Sequence, residues 1–256
     1  MASTRPTAPE QQYLLIASAL RESIRSGELS PGESLPSEAA LCDSYMSSRG
    51  TVRHALDVLR TEGLISSGQG RRSRVLSTVP AQNFDDIISF TQWCKASGLQ
   101  PGQRTQSTDV RPADAGLAAL LDIAEGDEVL IIHRLRLIDG TPAMVERLRY
   151  PIAVGRHLDG VDTDAGSIYQ AFLDAGVDFH HAQRTIDAVG ADEEDARLLG
   201  VETSTPLLRV RRRSFDSQGR PVEASDDRYL PQHATFMVTN VRGTPSNGAI
   251  APRARL

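Results

Sequence analysis

The chain has 256 residues, of which 39% are hydrophobic and 24% charged, so it can bury more than one core. No apolar run approaches the length of a membrane span, and the N-terminal MASTRPTAPEQQ lacks the apolar segment of a secretory signal. With two cysteines, Cys42 and Cys94, and no CxxC motif, neither a disulfide framework nor a zinc site is indicated. We therefore expect a cytoplasmic protein that needs no metal or other cofactor.

Charge is unevenly distributed along the chain. Residues 1–80 carry nine arginines against eight Asp and Glu, whereas the rest carries 19 basic and 25 acidic residues. Six of the arginines lie within residues 47–75, where Asp57 and Glu62 are the only acids. A local basic patch in a protein of net charge −5 indicates a front domain with an anionic partner.

Residues 1–11 are predicted to be disordered, and residues 12–76 to form a first domain that begins with a helix. In YLLIASALRESIRSG, apolar residues recur near a period of 3.6, and Gly27 is placed to end the helix. Its apolar face is predicted to consist of Leu14, Leu15, Ala19 and Ile24.

Two further helices and a hairpin are predicted to follow. Ser37 is a favourable N-cap for a short second helix, and Ser47 or Ser48 for a third helix, RGTVRHALDVLRTEG, which Gly63 ends. LISSGQGRRSRVLS then reads as two short strands around a glycine-rich turn. Three helices and a hairpin in this order form a winged helix-turn-helix. The apolar stripe of the third helix is predicted to be Val52, Leu56 and Leu59.

The start of the third helix and the wing carry groups suited to DNA. Guanidinium groups at a helix N-terminus suit phosphates and the base edges of the major groove. Gly68 and Gly70 let the wing approach a sugar-phosphate backbone, and Arg71, Arg72 and Arg74 add charge beside it. A solvated, salt-bridged helix with an ordinary basic turn explains each arginine singly, but not their combination.

The stretch GELSPGESLPSEAAL…SSRGTVRHALDVLRTEGLISSGQGRRSRV resembles the DNA-binding domain of the GntR family of bacterial transcription regulators. The family pattern G-x-L-x-P-G-x-x-L-P-S-E, then S-R-x-T-V-R-x-A-L-x-x-L, E-G-L-I and a G-x-G wing, is met almost throughout residues 27–75. The chain departs from it at Ala39, where most members have Arg, and at Gly50, where most have a polar residue. The resemblance implies operator contacts by Ser48, Arg49, Thr51, Arg53, Gln69, Gly70, Arg71 and Arg72.

Beyond a predicted linker, residues 77–83, we expect a second domain at residues 84–240 that contains an internal duplication. LLDIAEGDEVL at 120–130 matches LLGVETSTPLL at 198–208, an offset of 78 residues. Each copy reads as a helix, a strand, a turn and a returning strand, which predicts an α+β domain on an antiparallel sheet. Residues 241–256 are expected to be disordered. Further matches, at offsets of 78 or 79, are Arg134 with Arg212, Gly140 with Gly219, Pro142 with Pro221, and Tyr150 with Tyr229.

Two arginines, Arg134 and Arg136, lie on one face of the strand VLIIHRLRLI. Buried arginines need an anion, and either the domain's own Glu146 or Glu223 or a bound ligand meets that need. A two-residue turn at Asp139-Gly140 would put Glu146 on the opposite face, and a bulged turn on the same face. The sequence leaves both alternatives open. The face shared by the arginines also carries Leu130, Ile132 and Ile138.

Hydroxyl groups stand at two predicted helix starts. Ser89 and Thr91 open one helix and Ser167 opens another, where free backbone N–H groups suit a phosphate. The more ordinary interpretation of Thr91 is that it is an N-cap. His180-His181 has no second pair at metal-ligand spacing, so we interpret it as surface or strand edge.

The second domain resembles the UTRA effector-binding domain of the HutC subfamily of GntR regulators. The resemblance rests on ISFTQWCKASGLQPG, LLDIAEGDEVLIIHRLRLIDGTPAMVERLRYP, GSIYQAF, LLGVETSTPLLRVRRRSFDSQGRPVE and Tyr229. After Tyr229 the chain reads LPQHATF, where sugar-phosphate binders usually have Arg-Gly-Asp-Arg-Tyr. By comparison with members that bind amino-sugar phosphates, the resemblance implies effector contacts by Ser89, Phe90, Thr91, Arg134, Arg136, Glu146, Ser167, Glu223 and Tyr229.

The two resemblances imply a ligand-responsive regulator, most often a repressor in this family. It would bind a near-palindromic operator in double-stranded DNA as a homodimer, with no membrane partner. A small anionic effector, a sugar phosphate or a carboxylate, would change its DNA affinity. Because the UTRA fold resembles that of chorismate lyase, the alternative is an enzyme acting on a small carboxylate. The sequence shows no nucleophile–base pair, metal set or phosphate loop for such an enzyme. An architectural DNA binder without an effector leaves the arginine-bearing strand unexplained.

Overall fold

The computed structural model describes residues 8–66, 72–83 and 87–237 of the chain. None of the helices within these ranges is long and apolar enough to cross a membrane. The first part contains α1 (Ala8–Arg25), α2 (Glu38–Ser44) and α3 (Arg49–Thr61), which pack around one hydrophobic core.

Helix α1 differs from its prediction at both its start and its buried face. It begins at Ala8, inside the segment predicted to be disordered, because Pro9 lies in the first turn, where its missing N–H costs nothing. Leu14 and Leu15 are 49% and 64% exposed, so the predicted face is wrong for both. The side chains that face α3 also recur at intervals of three and four residues, but they belong to a different face of α1 from the predicted one. They are Ile16, Ala17, Leu20 and Ile24.

Helices α2 and α3 form the predicted helix-turn-helix. The Ser37 hydroxyl accepts the N–H of Ala40 at 3.1 Å and caps α2. Of the two candidate caps for α3, the structure uses Ser48, whose hydroxyl accepts the N–H of Thr51 at 3.2 Å. Gly63 takes a left-handed conformation (φ 66°) just after α3, as a helix stop requires. The predicted stripe is buried at Val52, Leu56 and Leu59.

The base of the wing is present as two antiparallel bridges. Ile65 pairs with Val75, and Ser34 pairs with Arg74. The predicted wing tip, Gly68-Gln69-Gly70, and the adjoining Arg71 lie outside the described residues. The described strand ends therefore agree with a winged helix-turn-helix, and the fold class predicted from the sequence is confirmed.

The second part is built on a six-stranded antiparallel sheet in the order β2-β3-β4-β7-β6-β5. Five helices flank it, together with 3₁₀ turns at Arg156–Leu158 and Pro231–His233. The helices are α4 (Phe90–Ala96), α5 (Ala115–Leu121), α6 (Ile152–Gly155), α7 (Ile168–Asp174) and α8 (Glu193–Leu199). The strands are β2 (Pro101–Pro112), β3 (Glu128–Ile138), β4 (Thr141–Pro151), β5 (His181–Gly190), β6 (Pro206–Phe215) and β7 (Pro221–Tyr229).

The internal duplication is confirmed and is longer than the sequence match. One copy runs α4-β2-α5-β3-β4 and the other α7-β5-α8-β6-β7, and the two copies meet where β4 pairs with β7. The N-caps of the opening helices, Ser89 and Ser167, are 78 residues apart. The sequence did not predict the edge strands β2 and β5. Each is exposed along much of its length, so neither has a run of buried apolar residues that the other repeats.

A short strand lies where the sequence predicted a linker. β1 (Ala81–Asn83) pairs in parallel with β8 (Thr235–Met237), so the last three residues of the predicted linker, 77–83, are part of a sheet. Ala81 is buried, and its N–H donates to the carbonyl of Glu62 at 2.7 Å. These contacts with both parts of the chain explain why the segment is ordered here.

The β3–β4 hairpin decides the question that the sequence left open. Asp139 (φ 50°) and Gly140 (φ 81°) form the predicted two-residue turn. A bulge follows, because Arg136 pairs with Met144 while Leu137 pairs with Pro142, which leaves one extra residue in β4. Arg134 is therefore directly opposite Glu146, and both point to the same face of the sheet.

The histidine pair lies at the edge of the sheet. His180 and His181 are exposed, and His181 begins the edge strand β5 and stacks on Phe215 with ring centroids 4.8 Å apart. This agrees with the interpretation as a strand edge. In the described part of the chain, no group of three or more His, Cys, Asp or Glu side chains is placed to hold a metal ion.

Candidate ligand site and DNA-binding surface

One face of the six-stranded sheet carries a cleft of about 700 Å³, counting the open space at its mouth. Side chains from β3, β4, β5, β6 and β7 form its floor, and residues of α4, α7, β1 and β8 complete its walls. The nine predicted effector residues all line this cleft. They are Ser89, Phe90, Thr91, Arg134, Arg136, Glu146, Ser167, Glu223 and Tyr229.

Arg134 is neutralised by the domain's own Glu146. Its Nε and Nη2 donate to one carboxylate oxygen at 2.9 and 2.6 Å, and its Nη1 donates to the carbonyl of Thr163 at 3.0 Å. Both side chains of the ion pair are buried. Burial alone would raise the pKa of Glu146, but Arg134 and Arg136 outweigh it and hold the pKa below its ordinary value.

Arg136 is less completely paired. Its Nη2 donates to the Thr91 hydroxyl at 2.8 Å, its guanidinium lies 4.7 Å from the centre of the Phe90 ring, and its Nη1 is 3.5 Å from Glu146. Its Nε is buried and has no hydrogen bond within the described part of the chain. Burial lowers the pKa of Arg136, because the charge has lost water. A buried cation with an unused donor suits an incoming anion.

The two hydroxyls at the helix starts have internal roles. Ser89 caps α4 by accepting the N–H of Gln92 at 3.1 Å, and Ser167 caps α7 by accepting the N–H of Gln170 at 3.3 Å. Thr91 lies one residue inside α4, so the interpretation of Thr91 as the N-cap is wrong. Its hydroxyl instead holds Arg136 in the cleft.

The second copy of the repeat adds a second ion pair, which the sequence analysis did not assign to the site. Arg212, the counterpart of Arg134, donates to Glu223 at 3.1 and 2.8 Å. The Ser214 hydroxyl donates to Glu223 at 2.7 Å, and Tyr150 lies 3.4 Å away. The match at an offset of 78 residues was the available signal for Arg212.

Asp227 is a third buried carboxyl group in the cleft. It pairs in the sheet directly opposite Glu146, and one of its oxygens accepts from the Ser225 hydroxyl at 3.1 Å. Its Oδ1 is buried without a hydrogen bond among the described residues. Burial raises the pKa of Asp227 to about 8, Arg212 opposes the rise, and Glu146 and Glu223 add to it. Nothing in EASDDRY distinguishes this residue from the neighbouring Asp226.

The cleft therefore has an excess of positive charge. Four arginines line it against two carboxylates, because Asp227 is largely neutral at pH 7. Three polar atoms in its lining, on Gln82, Arg136 and Asp227, are buried without a hydrogen bond in the part of the chain that the structure describes. Buried polar atoms are normally satisfied, so the lining suits a polar, anionic ligand. The four arginines are Arg134, Arg136, Arg184 and Arg212.

The predicted DNA contacts of α3 lie at its N-terminal end. Arg49 and Arg53 are exposed, and Arg53 donates to Glu38 at 3.0 Å across the helix-turn-helix. The hydroxyls of Ser48 and Thr51 are 2.9 Å apart. Arg72, beyond the wing turn, is also exposed. The other predicted wing contacts, Gln69, Gly70 and Arg71, lie outside the described residues.

Cys94 is not an activated nucleophile. Cys42 and Cys94 are both free thiols, and Cys94 is fully buried under the sheet face. Burial raises the pKa of Cys94 to about 12, so it remains a thiol at neutral pH.

A helix-turn-helix with exposed arginines, joined to a domain with a basic cleft, defines a DNA-binding regulator with a ligand domain. The UTRA domain family matches residues 96–235, and the bacterial regulatory proteins of the gntR family match residues 12–75. The chain therefore belongs to the GntR family, in the HutC-type group that carries a UTRA domain. It is a DNA-binding transcription regulator.

Relatives match along most of the chain. The HTH-type transcriptional repressor NagR of Bacillus subtilis is 27% identical over 230 residues, which cover 90% of this chain and 95% of that protein. The HTH-type transcriptional regulator Rv0792c of Mycobacterium tuberculosis is 29% identical over 238 residues, covering 91% and 87%. The crystal structure of PhnF from Mycobacterium smegmatis superposes with a TM-score of 0.62 at 26% identity, covering 88% of this chain and 99% of that one.

We predict that Glu146→Ala lowers the free energy of unfolding by about 3–5 kcal/mol, because it leaves two buried arginines without their carboxylate. Urea denaturation of the full chain measures the loss. Glu38→Ala is the control, since it breaks the exposed pair with Arg53 and should cost about 1 kcal/mol or less. Equal losses in the two variants would contradict the assignment of Glu146.

Proposed function

We propose that the protein is a repressor that binds its operator as a homodimer, and that a small anionic molecule in the cleft changes its DNA affinity. The observation that carries the proposal is the cleft lining, in which four arginines face two carboxylates and one largely neutral acid. The names of relatives support repression, since NagR and a probable fructoselysine utilization operon repressor of Escherichia coli are both called repressors. DNA is the target, so the protein would act in the cytoplasm.

The proposed DNA surface is the first turn of α3 together with the wing. Arg49 is exposed and has no ion-pair partner in the described ranges, so it is available to phosphate or a base edge. A two-fold dimer would present two such helices about one turn of DNA apart, which favours an operator with matching symmetry. The contacts assigned to Ser48, Arg49, Thr51, Arg53, Gln69, Gly70, Arg71 and Arg72 remain predictions.

The proposed effector is a small anion, and an amino-sugar phosphate is the first candidate class. The Nε of Arg136 is an unused hydrogen-bond donor. Arg134 lies beside Arg136, and both guanidinium groups are next to the same carboxylate oxygen of Glu146. The segment LPQHATF, which departs from the sugar-phosphate binders, forms the 3₁₀ turn Pro231–His233 and leads into β8. Because β8 pairs with β1, this difference in sequence affects the wall of the cleft that contains Gln82.

Two consecutive residues connect the cleft to the recognition helix. The N–H of Ala81 donates to the carbonyl of Glu62, the C-cap residue of α3, at 2.7 Å. Gln82, the next residue, lines the cleft with its side-chain amide next to the Tyr229 hydroxyl, but its Nε2 makes no hydrogen bond of good geometry among the described residues. Glu62 is in turn fixed by Arg21 of α1 at 2.6 and 3.0 Å. A ligand bonded to Gln82 would shift β1 and the end of α3 together.

For DNA recognition, we predict that Arg49→Ala weakens binding to a duplex selected in vitro by the wild-type protein by about 1–3 kcal/mol, the magnitude of a lost base contact. Fluorescence anisotropy at fixed salt measures the affinity. Arg111→Ala, which removes the same charge from the exposed edge strand β2, is the control and should bind like wild type. If both variants lose DNA affinity equally, α3 does not contact the bases of the operator.

For effector response, we predict that Gln82→Ala brings the ratio of DNA affinities with and without glucosamine 6-phosphate close to one, while DNA affinity without ligand stays within about twofold of wild type. The linkage between the two sites would be lost because the contact between ligand and β1 is lost. Gln106→Ala, an exposed glutamine on β2, is the control. An unchanged ratio in Gln82→Ala would show that the signal takes another route.

A further inference from the structure

We propose that Asp227 is a second recognition point in the cleft, which binds an ammonium group of an effector whose anionic group lies at Arg134 and Arg136. The inference rests on the proposed function and names a chemical feature of its ligand. An effector of this kind carries both charges, as an amino-sugar phosphate does. Asp227 would then determine which of several similar phosphates the protein recognises.

Of the three cleft carboxyl groups, Asp227 alone has an oxygen that is both buried and without a hydrogen bond in the described structure. Glu146 is bound by Arg134, and Glu223 is bound by Arg212 and by the Ser214 hydroxyl. Asp227 has a hydrogen bond from Ser225 to one oxygen, and its Oδ1 has none. The residue is 4% exposed, so water does not freely compensate the unused atom.

The position of Asp227 fits a ligand that spans the cleft. Arg134, Glu146 and Asp227 occupy one row across β3, β4 and β7, since Arg134 is opposite Glu146 and Glu146 is opposite Asp227. Two strand spacings separate the arginine strand from β7, or roughly 10 Å between backbones. With side chains extending from both strands, a monosaccharide phosphate has the length to contact both ends of the row.

Arg212 opposes a second cation beside Asp227, whereas Glu146 and Glu223 favour one. Glu146 lies directly across the strand pair, and Glu223 lies on the same strand. In the free protein, burial first and then these two carboxylates raise the pKa of Asp227 against the opposing effect of Arg212, and keep it largely protonated at neutral pH. An ammonium group would favour the ionised carboxylate, and the proton would leave to solvent. The charged and titratable groups that face Asp227 are Glu146 on β4, Arg212 on β6, Arg184 on β5, and Glu223 and Tyr229 on β7.

A neutral hydroxyl group at the same place behaves differently. It would meet a protonated carboxyl, exchange a hydrogen bond with it, and release no proton from Asp227. Glucosamine 6-phosphate and glucose 6-phosphate differ by this one group and share the phosphate. The difference between them therefore isolates the contribution of Asp227 from that of the arginines.

The test is isothermal titration calorimetry of the full chain with the two sugar phosphates at pH 6.5, where the amine is charged, in two buffers of different ionisation enthalpy. We expect wild type to bind glucosamine 6-phosphate about tenfold more tightly, about 1.4 kcal/mol. We also expect the binding of glucosamine 6-phosphate to release close to one proton more than the binding of glucose 6-phosphate. Asp227→Asn should lose both differences and keep the affinity for glucose 6-phosphate, which also shows that the variant is folded.

The matched control is Asp226→Asn, because Asp226 is the adjacent residue on β7 and points to the other face, where Arg228 bonds it at 3.1 Å. This variant should keep the preference. If wild type binds both phosphates equally, or if Asp227→Asn keeps the preference, the role of Asp227 is overturned while the anionic-effector proposal stands. If neither phosphate binds wild type, the role of Asp227 and the choice of a sugar phosphate as effector are both overturned, and a carboxylate effector is the class left to test.

Discussion

The buried ion pair between Arg134 and Glu146 depends on one extra residue in β4. Without the bulge, the two-residue turn at Asp139-Gly140 would pair Arg134 with Val145, and Glu146 would point away from the cleft. Two arginines would then be buried on an otherwise apolar strand face without a carboxylate, which costs several kcal/mol. The bulge thus makes a basic cleft compatible with a stable sheet.

The duplication explains why the cleft has two ion pairs and why they are not equivalent. Arg134 and Arg212 are counterparts in the two copies, but their carboxylates come from different positions, Glu146 and Glu223. The duplicated fold therefore produces an asymmetric cleft. Arg136 has an unused hydrogen-bond donor on one side of it, and Asp227 has an unused acceptor on the other. Such asymmetry suits a ligand with two unlike ends. Gln82 adds a third unused group, on the segment that also contacts the recognition helix.

Much of this could be predicted from the sequence, because short-range signals determine it. Caps at Ser37 and Ser48, the stripe of α3 and the offset of 78 residues led to the correct class of fold. The predictions that failed concern features that depend on tertiary packing. The face of α1 is set by α3, not by its own periodicity, so Leu14 and Leu15 were placed wrongly. Three residues of the cleft were missed for the same reason. Asp227, Arg184 and Gln82 join the cleft only through sheet pairing.

A thermal-shift titration with glucosamine 6-phosphate, with unphosphorylated glucosamine as control, tests whether the cleft binds a sugar phosphate through its phosphate group. Ligand at about a hundred times its Kd should add roughly 2.7 kcal/mol to the stability of the folded protein, which is a clear rise in Tm. We expect a rise in Tm with the phosphorylated sugar alone. No rise with the phosphorylated sugar, or an equal rise with both, would contradict it.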